Sequence, residues 1–307
     1  MNAIENIGPQ CYHLGEGPHW CQRRQLLFSV DIPGTAVCCY DPSKKSMTKL
    51  KIPGESISLI VPIEGQDDEF VISRGRTLSI LKWTPGSDDY QIIRDLHEVD
   101  ASQPKNRLND GKCDAKGRLW AGTMGPQIEG RPGYVGALEA TLYMIDAKGC
   151  HVKLTDVELS NGLGWSEDNK TMYFVDSPKR SVDAFDFDLE TGDITNRRVF
   201  YHLDTDDIPG VPDGLTVDAR DNIWLAAFSA GRVLEIDSKT GKLISQVEVP
   251  SNLTTSVTFG GKSLDELFVT TGRDLGDEKL RGPVDGSLFV LHSVKVQGRP
   301  AMDFVKP

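Results

Sequence analysis

The sequence predicts an all-β chain folded as a six-bladed β-propeller. Three observations carry that expectation: a recurring glycine motif, a spacing between its copies that matches one blade, and short strands throughout with no strong helical period. The motif occurs as Glu16-Gly17-Pro18-His19-Trp20, Asp110-Gly111-Lys112-Cys113-Asp114, Asn161-Gly162-Leu163-Gly164-Trp165 and Asp213-Gly214-Leu215-Thr216-Val217. Each copy reads as a loop with a turn glycine and an acid or amide oxygen before it. After a polar turn each leads into an apolar strand: Leu26 to Val30, Leu119 to Gly122, Met172 to Val175 and Ile223 to Ala226. Two weaker copies lack the glycine, at Ile57-Ser58-Leu59-Ile60-Val61 and Thr255-Ser256-Val257-Thr258-Phe259. They lead into Phe70 to Ser73 and Leu267 to Thr270. Aligned on the glycine, the copies fall at 17, 58, 111, 162, 214 and 256, separated by 41, 53, 51, 52 and 42 residues. A blade of four short strands takes roughly 40–50 residues, so six units fill the 307 residues as one domain, 1–307.

A ring of such units turns several oxygens toward one central point, and hard divalent cations bind in such places. The expectation is therefore a central metal-binding tunnel. The strands between the motifs agree. Ser181 to Asp188 alternates apolar and polar with period two and turns at Thr191-Gly192; Val233 to Asp237 does the same before Thr240-Gly241. Both read as the outer hairpin of a blade. Trp20, Trp120, Trp165 and Trp224 recur just after the motifs or on the following strands, and read as blade core.

Composition excludes several classes. A net charge of −11 gives no basic face for phosphate, so no nucleic-acid partner is expected. No apolar stretch approaches the roughly 18 residues of a membrane span. The amino terminus shows no basic segment followed by an apolar run, giving the expectation of a cytoplasmic chain. Cys11, Cys21, Cys38, Cys39, Cys113 and Cys150 form no paired spacing and read as free thiols. Cys113 follows a motif closely but reads as a small buried hydrophobe, and His19, with no second histidine at ligand spacing, reads as structural. A monomer is the default.

The stretches Leu14 to Trp20, Arg107 to Lys112, Ser160 to Trp165 and Pro212-Asp213-Gly214 resemble the senescence-marker protein / regucalcin / gluconolactonase family, which includes the insect luciferin-regenerating enzymes. The resemblance runs from about Tyr12 to the carboxyl end, with further support at Ser181 to Asp188, Thr255 to Gly261 and Leu264 to Thr271. It implies a six-bladed propeller holding one divalent cation on Glu16, Asn161 and Asp213. Calcium, manganese and magnesium suit such all-oxygen ligands, and zinc is compatible through the carboxylates. It also implies that Arg107 and Asn109 bind a small-molecule substrate and that Asp213 doubles as the catalytic acid/base. Asp110 beside them reads as an acid orienting a water on the metal. The implied activity is metal-dependent hydrolysis of a carboxylic ester, a sugar lactone in the gluconolactonase members.

One departure bears on specificity. Where some members carry a glutamate after Gly-Thr-Met, this chain has Gly122-Thr123-Met124-Gly125-Pro126-Gln127, so Gln127 takes the substrate-facing place without the charge. The Gly- and Pro-rich segment Pro126 to Ala140 reads as a lid over the tunnel mouth. The resemblance leaves other readings open: luciferin regeneration or another specialised hydrolysis, and a calcium-binding regulator without catalysis. A propeller that only docks proteins would leave the inward acids unexplained.

Overall fold

A computed structural model describes residues 4–128, 135–136, 139–273, 282–292 and 294–306. Its described residues form six four-stranded antiparallel sheets, the blades of a propeller. The innermost strands are Gly15–Cys21, Ile60–Pro62, Arg107–Cys113, Ser160–Trp165, Val211–Val217 and Thr254–Gly260, one per blade in chain order. Each later strand of a blade lies one step further out. Blade six is the exception. Its outermost strand is Ile4–Asn6 from the other end of the chain, paired with Phe289–Leu291. The ring is thus closed by main-chain hydrogen bonds, and Glu5 opposes Val290 in that register.

The expected outer hairpins are present: Ser181–Asp188 pairs with Asp193–His202, and Arg232–Ile236 with Leu243–Glu248. Among the described residues the only helical pieces are the short 3-10 turns Ser177–Lys179 and Leu203–Asp206. The blades pack through aromatic side chains. Trp120, Trp165 and Phe187 meet between blades three and four, Phe28, Phe70 and Trp83 between one and two, and Trp224 lies edge-on to Phe259 between five and six. The four motif tryptophans are buried, as expected. Two also brace the turns: Trp120 Nε1 donates to Asp114 at 2.9 Å and Trp224 Nε1 to Asp218 at 3.0 Å. Each of these aspartates also accepts two main-chain N–H groups of its own turn.

The motif itself requires a correction. The four glycine copies are innermost strands and not loops. Each is interrupted by a one-residue β-bulge, between Glu16 and His19, Leu108 and Gly111, Ser160 and Leu163, and Pro212 and Leu215. A bulge bends a strand and re-aims its side chains without ending it, so a repeated polar-glycine pair mimics a turn. The glycines mostly serve close approach. A Cβ on Gly162 would stand 2.6 Å from the Asp213 carbonyl oxygen, and one on Gly214 1.9 Å from Ser256 Oγ. Both are contacts between neighbouring inner strands, which crowd together at the axis.

Candidate metal centre

The bulges bring the expected side chains to one place. Glu16, Arg107, Asn109, Gln127, Asn161 and Asp213 all border a single cavity at one end of the tunnel. Glu16, Asn109, Asn161 and Asp213 are buried, Arg107 is half-buried, and Gln127 is exposed at the edge. The lid expected over Pro126 to Ala140 lies largely outside the described residues; Gln127 is within them, bridged through its main chain to Val135.

The hydrogen bonds explain how these side chains are aimed. Asn109 Nδ2 donates to the Ser160 carbonyl at 2.8 Å and to Asn161 Oδ1 at 3.2 Å, while its own oxygen accepts from Arg107 Nη1 at 2.8 Å. Asn161 Nδ2 donates to Ser177 Oγ at 2.9 Å, which fixes the amide with its oxygen on the side of Asn109. Ser177 Oγ in turn donates to the Pro212 carbonyl at 2.7 Å. Glu16 Oε2 accepts the Gly17 N–H at 3.0 Å, and Asp110 Oδ1 the Gly111 N–H at 2.7 Å. Asp213 is held in the same way by Gly214. Its other oxygen is different. Asp213 Oδ1 is fully buried and has no hydrogen-bond partner.

A wider pattern emerges from these bonds. The carbonyl immediately before each inward residue accepts a side chain from the preceding blade. Thr255 Oγ1 donates to the Gly15 carbonyl, Ser58 Oγ to Leu108 at 2.8 Å, Asn109 to Ser160 and Ser177 to Pro212. Each bulged strand is therefore braced from one side at the residue that precedes its functional side chain.

Electrostatically the site is strained. Burial raises the Asp213 carboxyl well above its ordinary range, and the nearby Glu16 and Asp110 charges add to this. Burial and Asp110 push Glu16 up to about 8. Asp110 is raised by burial despite Lys112. Burial lowers Arg107 to about 10, with Glu16 opposing. Three acids this close cannot all ionise without a compensating cation. Among the described residues no group of three or more His, Cys, Asp or Glu forms a metal cluster. A centre here depends on the Asn161 amide as its third oxygen.

Two expectations shift in detail. The motif alignment puts Asp110 in register with Asn161 and Asp213, but the bulge pairing puts Asn109 there. Asp110 instead faces a second cavity, of about 300 Å³, at the opposite end of the tunnel beside Lys112. Lys112 Nζ donates to the Leu215 carbonyl at 2.6 Å and ties blade three to blade five. His19 and Cys113 also border this rear cavity; His19 Nε2 meets Asp303 at 3.1 Å, and the Cys113 thiol is pushed well up by burial. Sequence reasoning missed Ser177, and it read Ser58 and Thr255 only as members of the weaker motif copies, without their bracing bonds. Ser177 lies in a 3-10 turn outside the motif, and no periodicity marks it.

A propeller whose bulged inner strands converge buried oxygen side chains at one mouth defines the class of protein: a β-propeller with a polar site on its axis. The chain belongs to the SMP-30/Gluconolactonase/LRE-like family, whose model matches residues 14–273. It is 39% identical to regucalcin of Xenopus laevis over 298 residues, 96% of each chain. Among solved structures it resembles a luciferin-regenerating enzyme, with a TM-score of 0.92, 34% identity and 100% of both chains covered. It also resembles a calcium-binding protein, regucalcin, from Agrobacterium tumefaciens, with a TM-score of 0.84, 25% identity, 100% of this chain and 98% of that one.

Proposed function

We propose that this chain is a divalent-cation-dependent hydrolase that opens a lactone ring. The observation that carries the reading is Asp213 Oδ1, a buried carboxylate oxygen with no partner, on a cavity wall shared with Glu16 and Asn161. Such an atom is costly to bury unless a cation accompanies it. Glu16, Asn161 and Asp213 would hold that cation, and two anionic oxygens with one amide oxygen suit calcium, magnesium or manganese. Membership of a gluconolactonase-like family and likeness to a calcium-binding relative support the same assignment. When bound, the cation supplies Lewis acidity toward the substrate carbonyl and neutralises the acids around it.

The chain's own residues account for the rest of the chemistry. Asp213 takes a proton from the attacking water as the new C–O bond forms. It returns that proton to the ring oxygen as the old C–O bond breaks, and the product is a hydroxy acid. Arg107 directs its uncommitted N–H groups at a substrate oxygen. Asn109 holds Arg107 and Asn161 in their relative places. The small-molecule substrate enters at the mouth bordered by Gln127.

The test is lactone hydrolysis by metal-stripped protein before and after adding back calcium, manganese, magnesium or zinc, with δ-valerolactone and glucono-δ-lactone as substrates. Turnover restored by a cation is expected. No turnover of either lactone with any cation would remove the hydrolase reading.

A further inference from the structure

The mouth above the acid ring is walled by apolar side chains that, apart from Leu14, form small clusters separate from the blade cores. Met124, Leu159 and Val135 form one small cluster. Val211, Phe228 and Leu253 form another, with Leu14 packed against it. Leu14, Met124, Leu159, Val211 and Phe228 border the same cavity as Glu16 and Asp213. Main-chain bridges between neighbouring blades set their places: Met124 to Leu159, Phe228 to Leu253, and Leu14 to Gly272. Ile128, directly after Gln127, is a large apolar side chain left 42% exposed. Apolar side chains brought to an axial mouth in this way cover no core of their own and leave the wall of a binding cavity apolar.

The polar groups of the mouth are mostly spoken for. Both Asn109 amide hydrogens are donated, to Ser160 and Asn161, and its oxygen accepts from Arg107. Ser177 Oγ accepts from Asn161 and donates to Pro212. Arg107 Nη1 is shared between the Leu108 carbonyl and Asn109. Among the described residues lining the cavity, the remaining Arg107 nitrogens, the Gln127 amide and the second Asn161 amide hydrogen are the neutral or cationic donors left for a ligand. A ring bearing several hydroxyls could satisfy those that reach Glu16, Asp213, Arg107 or Gln127, but would press the others against Leu, Met, Val and Phe, which is unfavourable. An alkyl or aryl group would gain from the same walls.

Resting on the hydrolase reading above, we infer that the substrate is an apolar lactone. Its carbonyl reaches the acid ring, and its alkyl or aryl substituent lies along Leu14, Met124, Leu159, Val211 and Phe228. The missing carboxylate at Gln127 fits this, since an acid there would have to be desolvated against an apolar substituent.

The experiment is a series on cation-loaded wild-type protein: δ-valerolactone, δ-octalactone, δ-decalactone and the aryl lactone dihydrocoumarin, against glucono-δ-lactone. We expect kcat/KM to rise with alkyl length by roughly threefold per added methylene until the walls are covered, and to exceed that for glucono-δ-lactone by more than tenfold. Leu14→Gln should flatten the dependence on chain length. A flat alkyl series, or glucono-δ-lactone matching δ-decalactone, would overturn the inference. If no lactone is turned over, the hydrolase reading fails, and the ligand class is decided by calorimetry of calcium-loaded protein with 5-hydroxydecanoate and gluconate. Tighter binding of 5-hydroxydecanoate sustains the apolar site; equal or tighter binding of gluconate rejects it.

Discussion

Blades one, three, four and five differ from blades two and six in the polar side chain that each brings close to the axis. In the first group a bulged strand turns an acid or amide toward the axis: Glu16, Asn109, Asn161 and Asp213. In the second group those side chains are hydroxyls, and they do not join the ring of oxygens. Ser58 and Thr255 donate instead to the carbonyls just ahead of Asn109 and Glu16. Side chains near the axis thus do two kinds of work, lining the cavity in four blades and bracing a neighbouring strand in blades two and six. Blades three and four combine both: Asn109 lines the cavity and donates to the Ser160 carbonyl, and Asn161 lines it while Ser177 donates to the Pro212 carbonyl of the next blade. The difference teaches that a symmetric scaffold yields an asymmetric site through one side chain per repeat.

The largest expected effect should come from breaking the ligand group. Asp213→Ala should lower both cation affinity and kcat/KM by more than ~100-fold, since even an outer partner of a metal site is worth roughly 10–100-fold. Calorimetric titration with calcium and steady-state turnover would measure it. An affinity within tenfold of wild type would remove Asp213 from the ligands and erase the distinction between the two groups of blades. A pH series sharpens the point. Burial raises Glu16 from 4.5 to about 8, so between those values the folded metal-free chain keeps a proton that the unfolded chain has lost. Stability of metal-free protein should therefore fall as pH rises from about 4.5 to 8. Added cation should reverse the fall, and by more at higher pH. Glu16→Gln should flatten the profile. Even about 1 kcal/mol of this effect shifts Tm by roughly 2 °C in a chain of this size. Identical melting profiles for wild type and Glu16→Gln would show that burial does not keep Glu16 protonated in the folded metal-free chain.

Much of the inward group was legible in the sequence, because a glycine directly follows Glu16, Asn161 and Asp213, and at Gly162 and Gly214 it permits close approach of the next inner strand. The spacing of Gly17, Gly111, Gly162 and Gly214 therefore announced both the blade count and the site. The motif was legible as a polar-glycine pair but not as a bulged strand, since turn and bulge favour the same residues. Blade three shows the cost. Asn109 and Asp110 are both polar, and only the pairing register shows that Asn109 takes the axial place while Asp110 looks toward Lys112. The bracing group was illegible for a different reason. Serine and threonine in or beside strands are ordinary, and their partners are carbonyls of another blade, 50 residues away for Ser58 and 240 for Thr255. Closure of blade six by Ile4–Asn6 was hidden in the same way, for nothing in three residues identifies a partner near the other end of the chain.

The smallest expected effect probes the braces and separates them from the ligands. Thr255→Val keeps the shape of the side chain but removes the donor to the Gly15 carbonyl and the contact with Thr270 Oγ1 at 2.9 Å. Loss of a neutral hydrogen bond should cost about 1 kcal/mol of stability, read as a lower urea midpoint. Calcium affinity should stay within about threefold of wild type, because neither atom of Thr255 reaches the acids and a loss of that size spreads mostly into the fold. Ser177→Ala is the contrasting case. Its hydroxyl orients the Asn161 amide as well as the Pro212 carbonyl, so affinity should drop by roughly tenfold while stability changes by a similar ~1 kcal/mol. Equal losses of affinity in the two variants would mean that bracing and ligand presentation are one function, shared by all six blades.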